Sequence, residues 1–176
     1  MRNFTALLTL ALFSTIGNAA QPILLNTKAP ELSGKQWLNS EPISLAARKG
    51  KVTVVHFWTY GCINCKHNLP SYANWQQQLA GRDVAIIGVH TPEFDHERVA
   101  SNVEKKVTQF GITWPVLLDS AMDNWRRWSQ QYWPCVYLID KKGHIRYRWD
   151  GELNYGGSEG EKIMLGLIEK LLSEPT

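Results

Sequence analysis

The chain has 176 residues, 44% of them apolar and 20% charged, with a formal net charge of +3; this suits one folded domain and excludes a disordered polyelectrolyte. The basic residues are scattered, so neither the size nor the arrangement of the charge supports nucleic-acid binding. Eight tryptophans point to an ordered core, and no repeat or low-complexity tract interrupts the sequence.

Residues 1–19 stand apart: Arg2, an apolar run from Phe4 to Ile16, then the small residues Gly17 and Ala19. This is the layout of a secretory signal cleaved after Ala19. The alternative is a retained anchor, but the run is shorter than the roughly 20 residues of a spanning helix and carries Thr5, Thr9, Ser14 and Thr15. No cysteine follows it to take a lipid. The mature domain is then residues 20–176, placed in the periplasm.

Residues 21–48 read as an extended lead-in with a short hairpin around Gln36–Leu45. KVTVVHFW, starting at Lys51, is β-branched and apolar on both faces, as in a central strand. Cys62–Ala80 shows apolar positions at helical spacing, with Pro70 kinking the helix. Asp83–His90 is a second buried strand. Thr91 and Pro92 then supply an N-cap and first residue for a helix carrying Val99, Val103 and Val107, stopped by Gly111. A short strand within Ile112–Asp119 and a short helix over Met122–Gln131 follow. CVYLID and HIRYRWD form a hairpin turning at Gly143, and Glu159–Leu172 is the last helix. The order β-α-β-α-β-α-β-β-α predicts one α/β domain, a mixed sheet with helices on both faces.

Of three cysteines, two are separated by two residues and Cys135 stands alone, which is not a stapling pattern. Cys62-Ile63-Asn64-Cys65 follows a strand and opens a helix. There, unpaired backbone N–H groups and the helix dipole stabilise a thiolate, the attacking species. A second cysteine one turn on can close a disulfide and expel a bound partner. Cys62 is thus the expected nucleophile and Cys65 the resolving thiol. Half a zinc site, completed by Cys135, His67 or His90, and an inert disulfide are the structural alternatives.

Three separated motifs carry a family resemblance: FWTYGCINCKHNLP from Phe57, GVHTPEF from Gly88 and YWPCVYLID from Tyr132. With the lead-in segments around Pro30 and Pro42, the chain resembles the thioredoxin superfamily, in its TlpA/ResA-like branch and the thioredoxin-like domain of DipZ-type proteins. The resemblance implies a thioredoxin fold with an N-terminal extension, and Cys62 and Cys65 as a redox-active disulfide. It further implies that Pro134 falls on the cis-proline loop, which packs beside the disulfide and helps hold the partner's chain. The activity implied is a periplasmic thiol:disulfide oxidoreductase, without organic cofactor, acting on dithiol or disulfide protein partners. A DsbD- or DipZ-type membrane protein is the implied electron donor, and cytochrome c maturation an implied setting. No dimerisation segment is visible, so the expected state is a monomer. The uncharged Ile63 and Asn64 lean toward a reductant.

Departures from the family pattern mark further residues. His56 stands where many relatives carry a buried acid that handles the second cysteine's proton; it is either that proton carrier or a packed strand histidine. Asn68 replaces a glutamate of some relatives, with Glu93 a substitute. Cys135 either approaches the pair or is a small buried apolar residue. His67 reads as a solvated helix residue, and Trp58-Thr59-Tyr60 with Trp133 as an apolar rim for a partner. Two other functions compete: a thiol peroxidase built on Thr59 and Cys62, disfavoured by Val55 where a proline belongs, and a Cu(I) carrier using Cys62, Cys65 and a histidine.

Overall fold

The computed structural model describes residues 21–176, so the segment read as a secretory signal lies outside the described residues. Seven strands form one sheet: β1 (Ile23–Lys28), β2 (Trp37–Leu38), β3 (Val52–Trp58), β4 (Val84–His90), β5 (Val116–Leu118), β6 (Cys135–Ile139) and β7 (His144–Asp150). Their spatial order is β1-β7-β6-β3-β4-β5-β2. The central β3, buried at every residue, runs parallel to β4 and antiparallel to β6. This is the mixed sheet that the element order predicts. The helices are α1 (Ile63–Gln78), α2 (Ala100–Gln109), α3 (Asp123–Arg127) and α4 (Gly160–Ser173).

The two-residue alternation of β3 divides the core. Val52, Val54 and Trp58 face α1, α2 and α4 together with Tyr72, Trp75, Val103, Val107, Met164 and Ile168. Val55 and Phe57 face Trp128, Tyr137 and the lead-in residues Leu32 and Leu45. Helices therefore lie on both faces, but unevenly: α3 and the lead-in cover the second face alone. Ser33 and Asn124 lock that layer in reciprocal fashion, the Ser33 N–H donating to Asn124 Oδ1 (2.9 Å) and Asn124 Nδ2 to the Ser33 carbonyl (2.7 Å).

Three sequence expectations are corrected. The lead-in forms no hairpin: β1 pairs antiparallel with β7 and β2 with β5, at opposite edges of the sheet. The helix expected from Thr91 starts only at Ala100. The Thr91 hydroxyl donates to Asp119 Oδ2 (3.1 Å), and the N–H groups of Glu93 and Phe94 go to the Glu97 side chain, which closes a single 3-10 turn, Asp95–Arg98, ahead of α2. The helix of Met122–Gln131 is confined to α3, between Met122 and Ser129, both at positive φ. Asp119 accepts the N–H groups of Asn124 and Trp125 at its start.

Candidate functional site

β3 ends at Trp58, and the turn Thr59-Tyr60-Gly61 delivers Cys62 to the N-terminus of α1. Cys62 is the N-cap residue: its backbone is extended and its Sγ accepts the Cys65 N–H at 3.1 Å. Cys62 and Cys65 are disulfide-bonded, with Cα atoms 5.3 Å apart. Cys62 is half-buried and Cys65 buried, and Ile63 between them is exposed. One cysteine is thus partly exposed at the positive end of a helix while the other is buried, the asymmetry expected of an attacking and a resolving thiol.

The Trp133–Pro134 peptide is cis, and Pro134 is buried. Trp133 stacks on Trp125 (centroids 4.0 Å apart) and donates its indole N–H to the Thr91 carbonyl (3.2 Å), joining the loop before β6 to the end of β4. Trp133 and Cys62 pack on the same core cluster, the one that contains Cys65.

The remaining sequence candidates are sorted by their contacts. His56 is fully buried, stacked on Tyr72 (4.1 Å), and its Nε2 accepts the indole N–H of Trp114 (3.0 Å). That bond puts the ring proton on Nδ1, which has no partner among the described residues. Burial pushes the His56 pKa down to about 3, so the ring is neutral and its basic nitrogen is already engaged. Asn68 is buried and committed to structure: Oδ1 accepts the Leu153 N–H (2.8 Å) and Nδ2 donates to the Gly151 carbonyl (3.1 Å). Glu93 is exposed. The exposed His67 lies 3.1 Å from Glu152 Oε2.

Cys135 does not approach the pair. It sits on the other face of the sheet among Phe57, Tyr137 and Trp128, and its thiol donates to Asp150 Oδ1 (3.0 Å). Burial, then the Asp150 charge, pushes this thiol well above its ordinary range. Trp58 and Thr59 are fully buried, so they belong to the core, not to a rim. The exposed apolar side chains on these loops are instead Ile63, Phe94 and Tyr132.

Two residues support the turn: His90, which the sequence offers only as a metal ligand, and Glu97, which the sequence reading missed. His90, at the end of β4, lies under Tyr60 (5.5 Å, stacked) and accepts the Tyr60 N–H at 3.4 Å. Burial lowers its pKa to about 4, so it too is neutral. Glu97 is fully buried, and its Oε1 accepts the Gly61 N–H at 2.8 Å. The signal available was a carboxylate among exposed neighbours; nothing local shows that it turns inward.

A family model described as AhpC/TSA family matches residues 25–148. Protein DipZ of Mycobacterium tuberculosis is 41% identical over 150 residues, covering 83% of this chain and 21% of that protein. The chain thus spans about a fifth of the length of the mycobacterial relatives it matches. The thiol-disulfide oxidoreductase YkuV of Bacillus subtilis is 27% identical over 85% of this chain and 97% of its own. Among solved structures, a thioredoxin-like superfamily protein superposes with a TM-score of 0.76 at 26% identity, over 85% of this chain and 99% of that one.

Proposed function

The chain belongs to the AhpC/TSA family, as a thioredoxin-fold thiol-disulfide oxidoreductase, and we propose that it reduces disulfides of protein partners outside the cytoplasm through Cys62 and Cys65. The observation that carries this reading is the disulfide at the N-terminus of α1, with Cys62 as N-cap and Cys65 buried one turn on. In the dithiol form the Cys62 thiolate attacks one sulfur of a partner disulfide, and the partner's other sulfur leaves as a thiolate that takes up a proton. Cys65 then loses its proton, attacks Cys62 Sγ and expels the second partner thiol. The partner gains two electrons and two protons, and Cys62–Cys65 is left oxidised. A membrane dithiol protein of the DsbD or DipZ type returns the electrons. Cys62 and Cys65 are the catalytic residues. Pro134 lines the partner's approach, and His56 supports the site as a neutral packing element under α1.

The compartment is read from residues 1–19; no helix among the described residues is long and apolar enough to cross a membrane. The uncharged Ile63-Asn64 pair supports the reducing direction. The carrier alternative is weakened by the placement of its histidines, His90 being taken by the Tyr60 N–H and His67 lying against Glu152.

The decisive measurement equilibrates the protein against glutathione and traps thiols at Cys62 and Cys65. A reversible two-electron couple nearer the value of thioredoxin, about −270 mV, than that of DsbA, about −120 mV, is expected. A strongly oxidising value would reverse the direction, and no reversible couple would end the exchange reading. A Cys65→Ser variant is expected to accumulate a mixed disulfide at Cys62. Sustained peroxide consumption by that variant would favour the peroxidase instead.

A further inference from the structure

We propose that Glu97 is a positioning residue for the redox pair: its buried carboxylate holds the turn that presents Cys62 and biases the couple toward the disulfide. The inference rests on the exchange reading above and adds a residue that sets the potential.

Glu97 lies in a single 3-10 turn, Asp95–Arg98, and is the one buried residue of that turn. Its Oε1 accepts the N–H of Gly61, the residue before Cys62 (2.8 Å). Its Oε2 accepts the N–H groups of Glu93 (2.7 Å) and Phe94 (3.0 Å). One carboxylate thereby ties the loop after β4 to the loop after β3. The absence of a side chain at Gly61 fits this contact. A Cβ at that position would stand 2.5 Å from Glu97 Oε1, so a side chain at residue 61 would displace the carboxylate from this hydrogen bond.

The electrostatics follow from the contacts. Burial pushes the Glu97 carboxyl up, but hydrogen bonds from Thr59, Phe94, Glu93 and Gly61 outweigh it and hold the group below its ordinary value. No cationic side chain pairs with it among the described residues. The titratable neighbours packed on the turn are His90, neutral by burial, and Tyr60, whose pKa is raised. Glu93, Asp95, His96 and Arg98 on its own loop are exposed, as is His67 on α1, while Lys66 there is half-buried. Reduction converts an uncharged disulfide into a thiol and, at Cys62, a thiolate. A fixed negative charge hydrogen-bonded to the residue before Cys62 opposes that thiolate, in competition with the helix dipole, and so favours the oxidised pair. A pair that prefers the disulfide is a better electron donor.

The test compares the full mature chain with Glu97→Gln, which removes the charge and keeps an acceptor of similar shape. Expected is a roughly tenfold shift in the equilibrium with glutathione toward the dithiol, about 30 mV upward for a two-electron couple. A lower Cys62 thiol pKa, followed by thiolate absorbance, should accompany it. Gly61→Ala should shift the couple in the same direction, and the double variant should shift it no further, since both act through one contact. Glu97→Asp, which keeps the charge, should stay closer to the parent than Glu97→Gln. A folded Glu97→Gln with the parent potential and thiol pKa would overturn the proposal while leaving the exchange reading intact. If Glu97→Gln does not fold, Gly61→Ala decides by the same readout. Absence of a reversible couple in the parent chain would instead sink the reading on which the proposal rests.

Discussion

At the scale of single residues, burial decides which groups titrate. His56 binds a proton in the unfolded chain below about pH 6.5, but in the fold only near pH 3. Between these values the unfolded state holds more protons, so stability falls as pH drops through that window. The slope approaches about 1.4 kcal/mol per pH unit for each such group. His90 adds a second contribution down to about pH 4. Urea unfolding between pH 4 and 7 is expected to show this acid loss. In His56→Gln, whose amide oxygen can still accept the Trp114 N–H, the dependence should flatten; an unchanged slope would contradict the buried neutral ring. Cys135 obeys the same logic with the opposite sign, since burial and Asp150 keep its thiol protonated. After reduction of the disulfide, iodoacetamide at neutral pH should label Cys62 first and reach Cys135 only on unfolding. Early labelling of Cys135 would place it outside the core.

At the scale of elements, the strands were legible where their own residues settle the matter. Val52–Trp58 is β-branched and apolar throughout, and it is a central strand. The cysteine pair was legible for the same reason, because strand, glycine turn and helix are contiguous in sequence. Misread elements depend on partners remote in sequence. The helix after Thr91 starts late because Asp119, remote in sequence, claims the Thr91 hydroxyl, and a separate 3-10 turn over Asp95–Arg98, closed by Glu97, comes first. A period of 3.6 in Val99, Val103 and Val107 carries no trace of either. Asn68 belongs to this class as well. Its place three residues after Cys65 invited comparison with a proton-shuttling acid, whereas its amide fastens α1 to the loop after β7. Asn68→Ala leaves the Leu153 N–H and the Gly151 carbonyl without that partner in a buried setting. The expected cost is about 1–3 kcal/mol for each group so orphaned, read as a lower urea midpoint at unchanged m. A change below a few tenths of a kcal/mol would show that water replaces the amide.

At the scale of the whole molecule, the sheet separates redox chemistry from its support. The disulfide lies on the face covered by α1, α2 and α4, and Cys135 on the face covered by α3 and the lead-in. Chain adjacency of Pro134 and Cys135 suggested proximity to the pair, but alternation along β6 sends Cys135 to one core and Val136 to the other. The lead-in meanwhile occupies both sheet edges, β1 against β7 and β2 against β5, and β1 carries a register irregularity between Leu24 and Thr27 of the kind that blunts an edge. Removing residues 21–32 would expose the β7 edge and withdraw Leu32 from the second core, where burial of one leucine contributes about 1.5–3 kcal/mol. The shortened chain is expected to unfold at lower temperature and to self-associate with rising concentration, as seen by size-exclusion chromatography. Its Cys62–Cys65 potential should nevertheless match the parent, because the turn, Glu97 and the N-terminus of α1 keep all their partners. A potential that moved with the truncation, in protein still folded, would mean that the two faces are coupled through β3 and that the lead-in belongs to the redox machinery.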